Sequence, residues 1–69
     1  MIKISLKYST SKKQEAAART AIEYEILYNP NLNGSEFKIE RGDFTCIDGL
    51  SGYDGAALMG IVDRAVRAA

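Results

Sequence analysis

The stretch "AIEYEILYNP", residues 21–30, decides how many strands this chain has. Ile22, Tyr24, Ile26 and Tyr28 alternate as on a half-buried strand, while Ala18, Ile22 and Ile26 recur at helical spacing. β-branched and aromatic residues are enriched here, and that tips the reading toward a strand. The alternative is that the preceding helix continues to Tyr28.

Upstream, "STSKKQEAAARTA" places Ser11 three residues before Gln14, the spacing of a capping box, ahead of an alanine-rich run. A short helix is expected from Lys12 to Thr20. Before it, Ile2, Ile4, Leu6 and Tyr8 alternate with Lys3, Ser5 and Lys7, which predicts a strand with one apolar face.

Downstream, "NPNLNGS" is rich in residues that favour turns. "EFKIE" and "DFTCI" then read as a hairpin around Arg41-Gly42, with Phe37 and Ile39 sharing one face and Phe44 and Cys46 another. In "AALMGIVDRAVRAA", Ala57, Leu58, Ile61, Val62, Ala65 and Val66 form an apolar stripe opposite Asp63, Arg64 and Arg67. Gly60 is the weak point of that helix unless close packing uses its missing side chain. The expected fold is α+β, one domain over residues 1–69: a small antiparallel-rich sheet of about four strands, covered by a short N-terminal helix and an amphipathic C-terminal helix.

A chain of 69 residues buries a small core, about 60% of its unfolded surface, and leaves little room for a deep cleft. Its 46% hydrophobic and 26% charged residues are those of an ordinary folded domain. Nine basic and nine acidic residues cancel, so no global field favours DNA or RNA. Locally, residues 1–21 hold five cations against one acid, a net of +4, and residues 22–63 hold eight acids against two cations, a net of −6. Two oppositely charged faces, suited to a charged protein partner, are expected. Nucleic-acid binding through Lys3, Lys7, Lys12 and Lys13 ranks last among the readings.

Cys46 is the single cysteine, so no internal disulfide forms, and the opening residues alternate where a secretory signal would be continuously apolar. A cytoplasmic, non-membrane protein is expected. The chain has no histidine, and Cys46 in its apolar setting is expected to be a buried structural thiol, so no catalytic set is read. Glu23 and Glu25 read as solvated charges, no calcium-loop pattern occurs, and neither metal nor cofactor is expected. "RGD" at Arg41–Asp43 reads as turn chemistry. Tyr8, Tyr24 and Tyr28 are expected on the inward faces of their strands.

The remaining candidate is "DGLSGYDGAAL", residues 48–58, with Gly49, Gly52 and Gly55 ahead of the last helix. A phosphate cradle would need glycines here, yet Asp48 and Asp54 would repel the anion and no lysine accompanies them. The glycines are better read as punctuation, with Ser51 as N-cap and Asp54 against the helix dipole. Tyr53 is expected to be exposed, and protein binding stays open for it.

The strand running into "KYST" and the "GLSG" turn before a terminal helix resemble small phage-encoded anti-CRISPR proteins that act on type I surveillance complexes. The resemblance implies a non-enzymatic inhibitor that binds a Cas subunit and blocks target DNA binding or cleavage. Net neutrality departs from the acidic DNA mimics of that class and favours steric or patch-wise blocking. The residues expected to touch the partner are Asp48, Tyr53 and Asp54, with Glu36, Glu40 and Asp43 as a second, acidic strand face. The alternative is a small structural or regulatory module that forms a homodimer through an uncovered strand edge or a helix.

Overall fold

Alternation in the first residues produces the strand around which everything else is arranged. In the computed structural model, which describes residues 1–69, β1 spans Ile2–Lys7. Ile2, Ile4 and Leu6 are buried, while Lys3 and Lys7 are exposed. Helix α1 follows over Lys12–Tyr28, then β2 over Phe37–Gly42, β3 over Cys46–Asp48 and α2 over Gly52–Ala68. The sheet has three strands in the order β2-β1-β3; β2 runs parallel to β1, and β3 antiparallel. Both helices pack on the face of Ile2, Ile4 and Leu6, contributing Ala18, Ile22, Leu58 and Val62 to one core.

The strand expected over residues 22–28 is absent, because α1 continues through that segment. The capping box forms as expected: Ser11 Oγ accepts from the Gln14 N–H at 3.0 Å, and Gln14 Oε1 accepts from the Ser11 N–H at 2.9 Å. A nucleated helix gains one hydrogen bond for each residue added. Continuing it puts Ile22, one turn on from the buried Ala18, at 0% exposure, with Ile26 packed at the margin of the core. Full burial of one such side chain contributes about 1.5–3 kcal/mol, whereas strand preferences span about 1 kcal/mol and depend on context. Tertiary burial therefore outweighs local preference. Tyr24 and Tyr28, expected to face inward, stand 61% and 65% exposed, and Tyr8 lies beyond the end of β1 at 71%.

The expected hairpin is also absent. β2 and β3 do not pair with each other; each takes one edge of β1, and residues 43–45 carry the chain across. A turn at Arg41-Gly42 would draw Arg41 out of β2, where it pairs with Leu6 and where its guanidinium is held. Nη1 donates to the carbonyls of Lys7 at 3.1 Å and Thr10 at 2.6 Å, and Nη2 meets Glu15 Oε1 at 2.6 Å. One arginine thus ties β2 to the β1–α1 loop and to the first turn of α1. Phe44 is left 73% exposed, and Cys46 is exposed, correcting its expected burial. The sheet is accordingly mixed and three-stranded, where an antiparallel-rich sheet of about four strands was expected.

Two further residues close the layer of helices. Gln14 Nε2 donates to the Val66 carbonyl at 3.2 Å, so the side chain that caps the start of α1 also satisfies the end of α2. Leu32, in the turn-rich link after α1, is 1% exposed and completes the core.

The last helix forms where its stripe places it, with Leu58 and Val62 buried and Ile61, Ala65 and Val66 half-buried; Ala57, expected on the same stripe, is exposed. A Cβ at Gly60 would meet only Arg64 Nη1, at 3.5 Å, so no close packing uses this glycine. Gly49 is different: its φ is +93°, and a Cβ there would strike the Met1 carbonyl and come within 3.2 Å of Ile2 Cα. Opposite outcomes follow for one substitution type. Gly60→Ala should raise unfolding free energy by about 1 kcal/mol, and Gly49→Ala should lower it by about 1–3 kcal/mol, as read by urea denaturation.

Candidate partner-binding surface

The six residues expected to bind a partner fall on three elements. Tyr53 and Asp54 occupy the first turn of α2, Asp48 ends β3, and Glu36, Glu40 and Asp43 precede, lie within and follow β2. Helix α2 begins after Ser51, as expected, although the Ser51 side chain makes no capping hydrogen bond. Tyr53, one residue into the helix and outside the core, is 88% exposed. Asp54 is half-buried and in the first turn, and its Oδ1 accepts from Asn31 Nδ2 at 3.5 Å. That carboxylate is therefore shared between the helix dipole and the link after α1.

Asp48, Glu40, Lys3, Lys7 and Lys38 are all exposed on strands whose opposite face is the core. The register places Lys3 between Lys38 and Asp48, and Ser5 between Glu40 and Cys46. The strand face expected to be acidic is thus mixed, with cations from the basic segment interleaved among acids from the acidic one. Lys38 Nζ lies 2.8 Å from Glu40 Oε1. The hydrogen bond and charge of Lys38 hold the Glu40 carboxyl below its ordinary value, and Lys3 adds to the effect. The "RGD" arginine is not available to a partner as a free fork, since Arg41 is occupied within the chain.

A surface that sequence reasoning missed lies on α1. Tyr24 and Tyr28 have ring centroids 4.7 Å apart, and Leu27 beside them is 61% exposed. Their spacing of three and four residues marks one helix face, a signal legible only once residues 21–28 are read as helix. No pocket opens on the surface, and no group of metal-ligating side chains is present. What the arrangement offers chemically is contact: exposed aromatic rings and charges of both signs. No family model, curated protein or solved structure matches the chain.

Two measurements probe these placements. Because the Glu40 value is lowered, its ion pair contributes fully at neutral pH and is lost as pH falls through that lowered value. Lys38→Met should return the Glu40 carboxyl to the ordinary range in an NMR titration; an unchanged midpoint would mean that Lys38 does not hold it. Arg41→Lys loses the forked geometry that spans three acceptors and should destabilise by about 1–3 kcal/mol. Equal melting of variant and wild type would remove Arg41 as the clamp between β2 and the β1–α1 loop.

Proposed function

We propose that the chain is a non-enzymatic protein-binding module that inhibits a type I CRISPR surveillance complex in the host cytoplasm by covering a Cas subunit. The observation that carries the binding role is Tyr53: a large side chain 88% exposed at the start of a helix, with a carboxylate next to it in the chain. Tyrosine supplies extensive contact area with two rotatable bonds to order, which is why it is frequent among interface anchors. Flanking carboxylates suit a basic partner surface, as Cas subunits that track nucleic acid present. The resemblance of "KYST" and "GLSG" to anti-CRISPR proteins supplies the identity of the partner.

Tyr53→Ala is the cleanest test, since the ring makes no contribution to the core. Asp48 sits in the strand register opposite Lys3, and Asp54 accepts from Asn31, so substitutions there also touch the fold. Loss of an anchoring tyrosine costs about 2 kcal/mol, about 30-fold in affinity. The expected result is an unchanged melting curve together with weakened binding to the purified surveillance complex and weakened protection of phage in a plaque assay. Full protection by a folded Tyr53→Ala variant would move the contact to Glu36 and Asp43. No protection by the wild type across type I systems would overturn the reading.

A further inference from the structure

The two outer edges of the sheet are unequal. β3 is three residues long, while β2 presents six, Phe37–Gly42, with no proline. The parallel ladder uses alternate residues of β2: the Ile2 N–H donates to the Glu36 carbonyl, and the Tyr8 N–H to that of Gly42. Lys38 and Glu40 continue that alternation toward β1, so the N–H and C=O groups of Phe37, Ile39 and Arg41 point to the open edge. An edge of this length is a template for another strand unless something blocks it.

We infer that this edge pairs with itself: β2 of one copy lies antiparallel to β2 of a second copy about a two-fold axis at Ile39, joining two sheets into one of six strands. Register selects this pairing. In an antiparallel pair the outward residues must face one another, so allowed registers differ by steps that keep Phe37, Ile39 and Arg41 opposite members of the same set. With Ile39 opposite Ile39, Lys38 of each copy stands opposite Glu40 of the other, and Phe37 stands opposite Arg41. The adjacent register in one direction sets Lys38 against Lys38 and Glu36 against Glu40; in the other, it sets Glu40 against Glu40. Only the centred register uses the full strand with opposite charges facing, and both facing pairs lie on the open side of the sheet.

The side chains are suited to the exchange. Lys38 and Glu40 already lie on one face with their charged ends 2.8 Å apart, and they are half-exposed, at 50% and 45%. Facing strands let each lysine bridge to the partner's acid without leaving that face. Phe37 and Ile39 are partly buried at the margin of the core, where a second copy covers what the helices leave open. The symmetry is isologous: one patch meets its own copy, so the assembly closes at two chains with no further growth through this edge.

The test is charge exchange, read by sedimentation equilibrium of the full 69-residue chain from micromolar to near-millimolar concentration, with far-UV circular dichroism to confirm folding. Wild type should reach twice the 7.5 kDa chain mass. Lys38→Glu or Glu40→Lys alone sets like charges opposite one another and should weaken dimerisation at least tenfold. Lys38→Glu with Glu40→Lys restores opposite pairs and should restore the dimer. Amide exchange should slow at Phe37, Ile39 and Arg41 as concentration rises. A wild type that stays monomeric overturns the inference, as does a dimer unaffected by either reversal or a folded double variant that does not recover. Protection of the Ile39 amide only when another protein is added assigns the edge to that protein and likewise overturns self-pairing.

Discussion

Everything in this molecule depends on β1 being covered and paired on all sides but one. Ile2, Ile4 and Leu6 are at most 2% exposed, and β1 alone has a neighbour on each edge. A strand with three large aliphatic groups on one face must have that face covered, and a buried backbone must have its hydrogen-bonding groups satisfied. The two requirements assign the other elements. α1 and α2 cover the apolar face, and β2 and β3 take one edge each. Had β2 and β3 paired with each other, one edge of β1 would have no strand against it.

Parallel pairing of β1 with β2 then sets the length of what lies between. A crossover must return the chain to the starting end of the sheet, and parallel strands need a connection of about a dozen residues or more, usually a helix. α1 is 17 residues long and ends at Tyr28, with Asn29 as its C-cap, leaving a link in which Leu32 plugs the core. A helix stopping at Thr20 would leave the segment with Ile22 and Ile26 outside the core it now fills. Once β1 is central, the length of α1 is therefore a consequence of topology more than of helix propensity. The arginine clamp has the same origin: Arg41 lies opposite Leu6 at the end where the chain leaves β1, within reach of the Lys7 and Thr10 carbonyls.

This explains which parts were legible in the sequence. The alternation of β1, the capping box at Ser11 and Gln14, the stripe of α2 and the glycine corner at residue 49 are local patterns, and each appears where the residues place it. The assignment of residues 21–28 failed because the deciding energy, burial of Ile22 against β1, is non-local, while the alternation of Ile22 and Tyr24 is visible at once. The hairpin failed for a related reason: nearness in sequence favours pairing, but β1 offered both strands a better partner. Leu32 was hidden in a run of turn formers. Of the candidate surface, the exposure of Tyr53 was legible, whereas the Tyr24, Leu27 and Tyr28 face depended on the misread helix. The segregation of charge along the chain did not become segregation in space, because Lys3 and Lys7 on β1 stand beside strands drawn from the acidic half.

The unequal edges bear on how the proposed surfaces coexist. α2 packs near β3, on the far side of β1 from β2, and Tyr53 opens that helix. A second chain on the β2 edge thus approaches from the side away from β3 and leaves the first turn of α2 uncovered. Two chains joined there carry two copies of the Tyr53 surface on one continuous sheet, held at a separation that the sheet itself fixes. A repeating partner whose subunits match that separation would be bound through two contacts, the second made at high effective concentration. A partner of that kind would engage both surfaces of the pair, whereas a single-copy subunit would engage only one. The binding stoichiometry therefore distinguishes a contact with a repeated subunit from one with a single subunit, by a physical criterion separate from the contact residues themselves.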